Sequence, residues 1–310
     1  MDNKPSDIGH NDSEFIDLSK IFVELLNKKK FILIFTGCFF IASIAVALMT
    51  PNQFTSTATL TPSQSNSSMS LSSEFGGLAS LAGIDIGGGN SSEGEVAFQI
   101  MKSWGFIEKF IRDNNLEMHL IAAKGWNASN NKLIIDNNIY DEEKGEWVNI
   151  EKNYKGEFPS SWSLYNSFKN KSVITRDRLS GSITVSFEFY SPFEAKEIIE
   201  LYIQSINDYM RDRKLLLTEK NIQYLENEIQ KTSMTRMREV FYKLIEEQTN
   251  IKMLAQATPD YVFNIVNKPM ISEERSRPSR SLIVLAYSFS GFLLAILLVL
   301  FRVKLPIKLK

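Results

Sequence analysis

Cysteine is nearly absent: Cys38 is the only one in 310 residues. A single thiol excludes any disulfide framework within one chain. Cys38 lies inside an apolar run and reads as a small packing residue. Histidine is almost as scarce, with only His10 and His119. No Ser/His/Asp relay and no metal-spaced cluster can be assembled from so few, so neither a catalytic centre nor a cofactor is expected. Neither sign of charge is in excess. The formal net charge is −1, which leaves no global basic field to attract nucleic acid. Glycine and proline are missing from one long stretch, Phe193–Thr258, where the two strongest helix breakers would otherwise act.

Two long apolar runs stand out against these absences. Phe31–Met49 is 19 residues without a charge, and Ser281–Phe301 is 21. A membrane-spanning helix needs roughly 20 apolar residues. The expected layout is a cytoplasmic segment 1–30, a first span 31–49, a large external domain 50–280, a second span 281–301 and a cytoplasmic tail 302–310. Lys28, Lys29 and Lys30 abut the first run, and Arg302, Lys304, Lys308 and Lys310 follow the second. Short flanks rich in Lys and Arg stay in the cytoplasm, so both termini are expected there. Arg275, Arg277 and Arg280 argue the other way, but long loops translocate largely regardless of charge. A cleaved signal peptide ending near Ala45-Val46-Ala47 is the lesser reading, because its leader would be long and carry Asp12, Glu14, Asp17 and Glu24.

Within the domain, Phe54–Leu60 is rich in β-branched residues and reads as a strand. Thr61–Ser73 is Ser, Asn, Gln and Pro, a flexible stretch. The glycines of Gly76–Gly89 lack the Gly-Lys-Ser/Thr ending of a phosphate loop. They read as a pliable surface suited to packing against a neighbouring subunit. Ser92-x-x-Glu95 reads as a capping box. Val96, Ile100, Trp104, Ile107 and Ile111 then form one apolar stripe on a helix ending at Asp113-Asn114-Asn115. Trp104 on that stripe is read as core, with ligand stacking the lesser reading. Leu133–Ile135 and Trp147–Ile150 read as short strands, and His119 as an isolated loop residue. The acidic trio Asp141, Glu142 and Glu143 lacks calcium-loop spacing and reads as a solvated turn. Ser160–Asn170 reads as a short helix. Ile183, Val185, Phe187 and Phe189 alternate with polar residues as a half-buried strand.

A second capping box, Ser191-Pro192-Phe193-Glu194, opens the stretch without breakers. Apolar residues recur at three- and four-residue spacings from Ile199 through Ile206 and on through Leu225 and Ile229. The pattern pauses at Lys231–Thr235 and resumes at Met237, Phe241 and Leu244. One straight helix to Ala257 would carry the chain ~100 Å from its start, yet the second span must begin beside the membrane. A fold-back near Ser233 solves this. The expectation is an α+β membrane protein. Two transmembrane helices flank an α/β base (about 50–191 and 258–275) that carries a long helical hairpin (about 192–257). Leu225, Ile229, Phe241 and Leu244 are expected to pack that extension. Gly291 and Ala295 are expected to let helices approach closely in lipid.

Several stretches in this order carry a resemblance. They are the lead-in Asp17–Lys30, the two spans, Leu78–Ile84 with its glycines, Met101–Phe110, Asn221–Leu225, Leu244–Gln248, and Pro269 and Pro278 before the second span. Together they are similar to the Wzz-type polysaccharide co-polymerases, the chain-length determinants of O-antigen lipopolysaccharide biosynthesis. The resemblance implies a multi-pass protein of the Gram-negative inner membrane with its main domain in the periplasm. It implies a ring-like homo-oligomer that sets the modal length of the glycan made by a Wzy-type polymerase from lipid-linked repeats. It implies no catalysis and no cofactor, and contact with lipid-linked glycan or growing polysaccharide. An alternative is an export partner for capsule or exopolysaccharide working with a separate cytoplasmic tyrosine kinase. A membrane sensor is a third class, disfavoured because about 30 residues and nine are too few for an output domain.

Overall fold

The computed structural model describes residues 25–63, 90–148 and 158–304. In chain order the elements are α1 (Lys29–Met49), β1 (Phe54–Pro62), α2 (Asn90–Met101), α3 (Trp104–Asp113), α4 (Glu117–Ala122), β2 (Ala123–Asn127), β3 (Lys132–Ile135), β4 (Tyr140–Asp141), β5 (Glu146–Trp147), α5 (Ser161–Lys171), β6 (Ser172–Arg176), β7 (Ile183–Phe189), α6 (Pro192–Lys231), α7 (Thr235–Ala257), β8 (Phe263–Asn267) and α8 (Arg280–Lys304). They divide into two units. One falls within Met1–Thr50 and Pro278–Lys310, the other is Pro51–Arg277. The architecture is therefore the expected mixture of helix and sheet, with two apolar terminal helices and a long helical region.

In the first unit α1 and α8 are each long and apolar enough to cross a membrane. Phe31, Phe35 and Phe39 follow one another at four-residue spacing on α1, with ring centroids 5.8 and 5.1 Å apart. Thr50 closes that helix, its backbone N–H and its hydroxyl both donating to the Val46 carbonyl. Leu33, Ile34, Ile41, Leu282, Leu285 and Phe289 point outward, as lipid-facing residues do. Cys38 is exposed as well. It does not pack inside the chain as the sequence suggested.

The second unit is built on a four-stranded antiparallel sheet in the order β6-β7-β1-β8. Ala58 pairs with Val185 and Leu60 with Ile183. The period of two sends Ser56, Ala58 and Leu60 and every second residue of β7 to the same buried face. The opposite face carries Thr57, Thr59, Thr184 and Ser186, with Thr57 and Ser186 hydrogen-bonded at 2.9 Å. The first turns of α6 lie on the buried face and contribute Ala195, Ile198, Ile199, Tyr202, Ile203, Ile206 and Met210 to the core. Tyr202 sits at its centre among Phe106, Phe110 and Phe168. Its hydroxyl donates to the Met101 carbonyl, which satisfies the only polar atom on a ring that burial would otherwise penalise.

Two sequence expectations change here. The helix expected to start at Ser92 and run through Ile111 starts at Asn90 and is two helices. Ser103 breaks it, its hydroxyl donating to the Ile100 carbonyl and accepting from the Phe106 N–H. The break rotates the stripe, so Ala97, Met101, Phe106, Phe110 and Ile111 are core while Val96 and Trp104 are exposed. His119 lies on the short helix α4, not in a loop. The Gly76–Gly89 segment and most of Thr61–Ser73 lie outside the described residues.

Polar side chains fix the remaining edge. Asn207, buried in α6, accepts from the Val262 and Phe263 N–H groups through Oδ1 and donates to the Phe263 carbonyl through Nδ2. It holds the start of β8 against the helix. The chain enters and leaves the unit side by side: the Gln53 N–H donates to the Arg277 carbonyl at 2.9 Å, and Arg277 pairs with Glu188.

Candidate functional site

The helical extension is a hairpin within the second unit. Ser191 caps α6, its hydroxyl accepting from the Glu194 N–H, and Pro192 fills the first turn. The helix runs 40 residues and ends at Lys231; Thr232-Ser233-Met234 turn the chain, and α7 returns from Thr235. Three cross-pairs set an antiparallel register. Leu225 meets Leu244, Asn221 donates to Gln248, and Lys252 pairs with Glu219. Leu225 is fully buried and Leu244 nearly so. Phe241, Val240 and Ile245 pack against them, and Ile229 is half-buried. Outside this seam the hairpin exposes Leu216, Leu217, Tyr224, Tyr242, Met253 and Leu254, more apolar side chain than a slender pair of helices ordinarily leaves in water.

Gly291 has a definite neighbour. A Cβ added there would lie 2.5 Å from Phe39 Cβ, so the glycine is what lets α8 approach α1. Ala295, one turn on, is fully buried. Gly291 thus serves the approach of α8 to α1 inside one chain. Replacing Gly291 by Leu is expected to cost ~1–3 kcal/mol through overpacking and to lower the unfolding midpoint of the detergent-solubilised protein. Leu at Gly37, where nothing lies within 4 Å, serves as the comparison and should leave the midpoint unchanged.

Among the described residues the titratable side chains do not converge on a reacting centre. Asp141 is engaged as a turn acceptor, taking the Glu143 and Lys144 N–H groups, and these hydrogen bonds hold its carboxyl below the usual range. Among the described residues no group of three His, Cys, Asp or Glu is placed to hold a metal ion. Glu194 stands apart. Its Oε2 lies 3.9 Å from His119 Nε2, and it makes no hydrogen bond. Burial, followed by the charge of Glu197, pushes its carboxyl up to about 7, while burial lowers His119. The folded state therefore holds a proton on Glu194 that the unfolded chain releases near 4.5. Its contribution to stability falls as pH rises from about 4.5 to about 7. Glu194→Gln is expected to unfold at a higher temperature than wild type at about pH 8 and to converge with it near pH 4. Thermal scans across that range check this, and a constant difference between the two proteins would count against it.

An open groove of about 610 Å³ lies between α2 and the free edge at β6, lined by Phe98, Lys102, Ile174, Thr175, Arg176 and Arg178. Arg176 is paired with Glu95.

Two apolar helices near the ends of the chain, with a mixed helix-and-sheet unit between them in sequence, suit a two-span membrane protein. Residues 14–114 match the family described as Wzz, chain length determinant protein. Over that stretch the chain is similar to Wzz-type polysaccharide co-polymerases. Two solved structures are similar to it. One is a full-length bacterial polysaccharide co-polymerase, at 15% identity and TM-score 0.44, covering 95% of this chain and 100% of that one. The other is a fragment of WzzB, a polysaccharide co-polymerase from Salmonella Typhimurium, at 16% identity and TM-score 0.31, covering 73% of this chain and 100% of that one. No curated protein matches.

Proposed function

We propose that this protein is a non-enzymatic regulator of O-antigen chain length, acting as an oligomeric periplasmic scaffold beside a Wzy-type polymerase in the Gram-negative inner membrane. The observation that carries the reading is the match of residues 14–114 to the Wzz chain length determinant family; the apolar helices at both ends of the described chain agree with it. In this reading the domain between the spans stands in the periplasm and the hairpin extends from it. The unpartnered apolar residues of the hairpin, among them Tyr224, Tyr242 and Leu254, supply surface for neighbouring copies. Nothing in this role requires a nucleophile or a base, and none of the titratable residues described above has a partner set suited to one.

Lipopolysaccharide ladders with and without the gene test the reading. A modal band that disappears on deletion and returns on complementation is expected. An unchanged ladder with altered capsule or exopolysaccharide would transfer the function to an export system. Topology is tested separately. A reporter active only in the cytoplasm should be active when fused after Lys310 and inactive within Thr61–Ser73, and the reverse pattern would overturn the orientation.

A further inference from the structure

The helices α3 and α5 carry three aromatic side chains outward at one place. Trp104 is 47% exposed and Trp162 59%, and Tyr165 is half-buried beside them. The Trp104 and Trp162 rings meet edge-on at 5.9 Å, and Tyr165 lies 6.0 Å from Trp162 and 6.5 Å from Trp104. The platform is rigidly backed. Further along the two helices Phe110 and Phe168 pack in the core at 5.6 Å, and the Ser161 hydroxyl donates to Glu108. Polar groups rim it: Lys169 Nζ stands 5.5 Å from the Tyr165 ring centre, and Arg112 pairs with Glu108 at 3.2 Å. Gly105, next to Trp104, has nothing within 4 Å of where a Cβ would be.

Neither tryptophan serves the core, which Phe106, Leu164 and Phe168 fill instead. Three rings of this exposure amount to roughly 300 Å², well short of the ~800 Å² per partner that a stable protein interface buries. The patch is sized for a few small rings. Its faces are apolar and its rim is charged, which matches a pyranose: C–H groups on one face and hydroxyls around the edge.

We propose that Trp104, Trp162 and Tyr165 form a binding platform for a segment of polysaccharide, with sugar rings stacked on the two indoles and hydroxyls bonded to Glu108, Arg112 and Lys169. The inference rests on the length-regulator reading and adds a direct, localised contact with the glycan to it. Its strength per subunit is low, as three rings allow, and repetition of subunits along one chain raises it.

The test uses the full-length protein in nanodiscs and a lipid-free, end-labelled surface polysaccharide from a strain whose ladder the protein controls, with fluorescence anisotropy as the readout. Trp104→Ala combined with Trp162→Ala is expected to weaken binding about tenfold or more. Trp104→Phe combined with Trp162→Phe retains rings and should keep most of it. Both pairs lie on the surface, and unchanged unfolding midpoints verify that the fold survives. Equal binding by wild type and the Ala pair, or no binding by wild type, would overturn the proposal. So would a change of oligomeric state in the Ala pair, which marks a contact between copies, or quenching of these tryptophans by brominated lipid, which marks a membrane contact. Deletion ladders separate the two levels: a gene that still sets the modal band while its protein binds no glycan refutes the platform and leaves the regulator reading intact.

Discussion

Aspartate at Leu225 or Leu244 is expected to shift or erase the modal glycan length while the protein still inserts in the membrane. Both leucines are buried in the hairpin seam, and neither lies in α1 or α8. An unpaired carboxylate there costs ~3–5 kcal/mol, more than the modest seam between two slender helices can absorb, so the arms should part. Alanine at His119, Asp141, Glu142 or Glu143 should leave the modal length nearly unchanged. Ladders compared at matched protein levels decide between packing and chemistry. If one of the alanine variants abolishes length control while the leucine variants behave normally, a specific polar role replaces the scaffold.

The second large effect concerns Asn207. Replacing it by Ala strips partners from the Val262 and Phe263 N–H groups and from the Phe263 carbonyl. Each buried group left unpaired costs about 1–3 kcal/mol, against a total stability of order 5–15 kcal/mol for a domain. Asn207→Ala should therefore release β8 and yield a protein that is degraded or recovered only in aggregates. Asn207→Asp keeps the acceptor for both N–H groups but faces the Phe263 carbonyl with no donor. It should retain partial stability, visible as a lowered midpoint. Wild-type stability in both variants would sink the assignment.

The parts of the fold legible in the sequence are those governed by local periodicity. The alternation Ile183–Phe189 is buried at every second residue as the period requires, and the pause at Lys231–Thr235 coincides with a turn at Thr232–Met234. What escaped depended on distant partners. β2 and β6 carry little pattern of their own and exist through pairing with β3 and β7. Asn207 reads as one polar residue on a helix, because the backbone it serves is 55 residues away. The break at Ser103 had a signal, a Ser placed two residues before Gly105, but the apolar spacing across it is regular enough to hide it. That spacing placed Trp104 in the core. A shift of the helix at Ser103 put Trp104 on the surface, where the proposed glycan platform stands. For the packing residues, sequence spacing named Leu225 and Leu244, whereas only the neighbouring helix could reveal that Gly291 answers Phe39.

The helix α6 belongs to two structures at once. Its first five turns are core of the base, from Ala195 to Met210, and its later turns are one arm of the hairpin. No glycine or proline interrupts it, so there is no joint at the place where base becomes extension. A push at the Thr232–Met234 tip is therefore carried along one continuous helix to the sheet on which that helix rests. Inserting a glycine pair near Leu216 would interrupt that helix while leaving both ends of it folded.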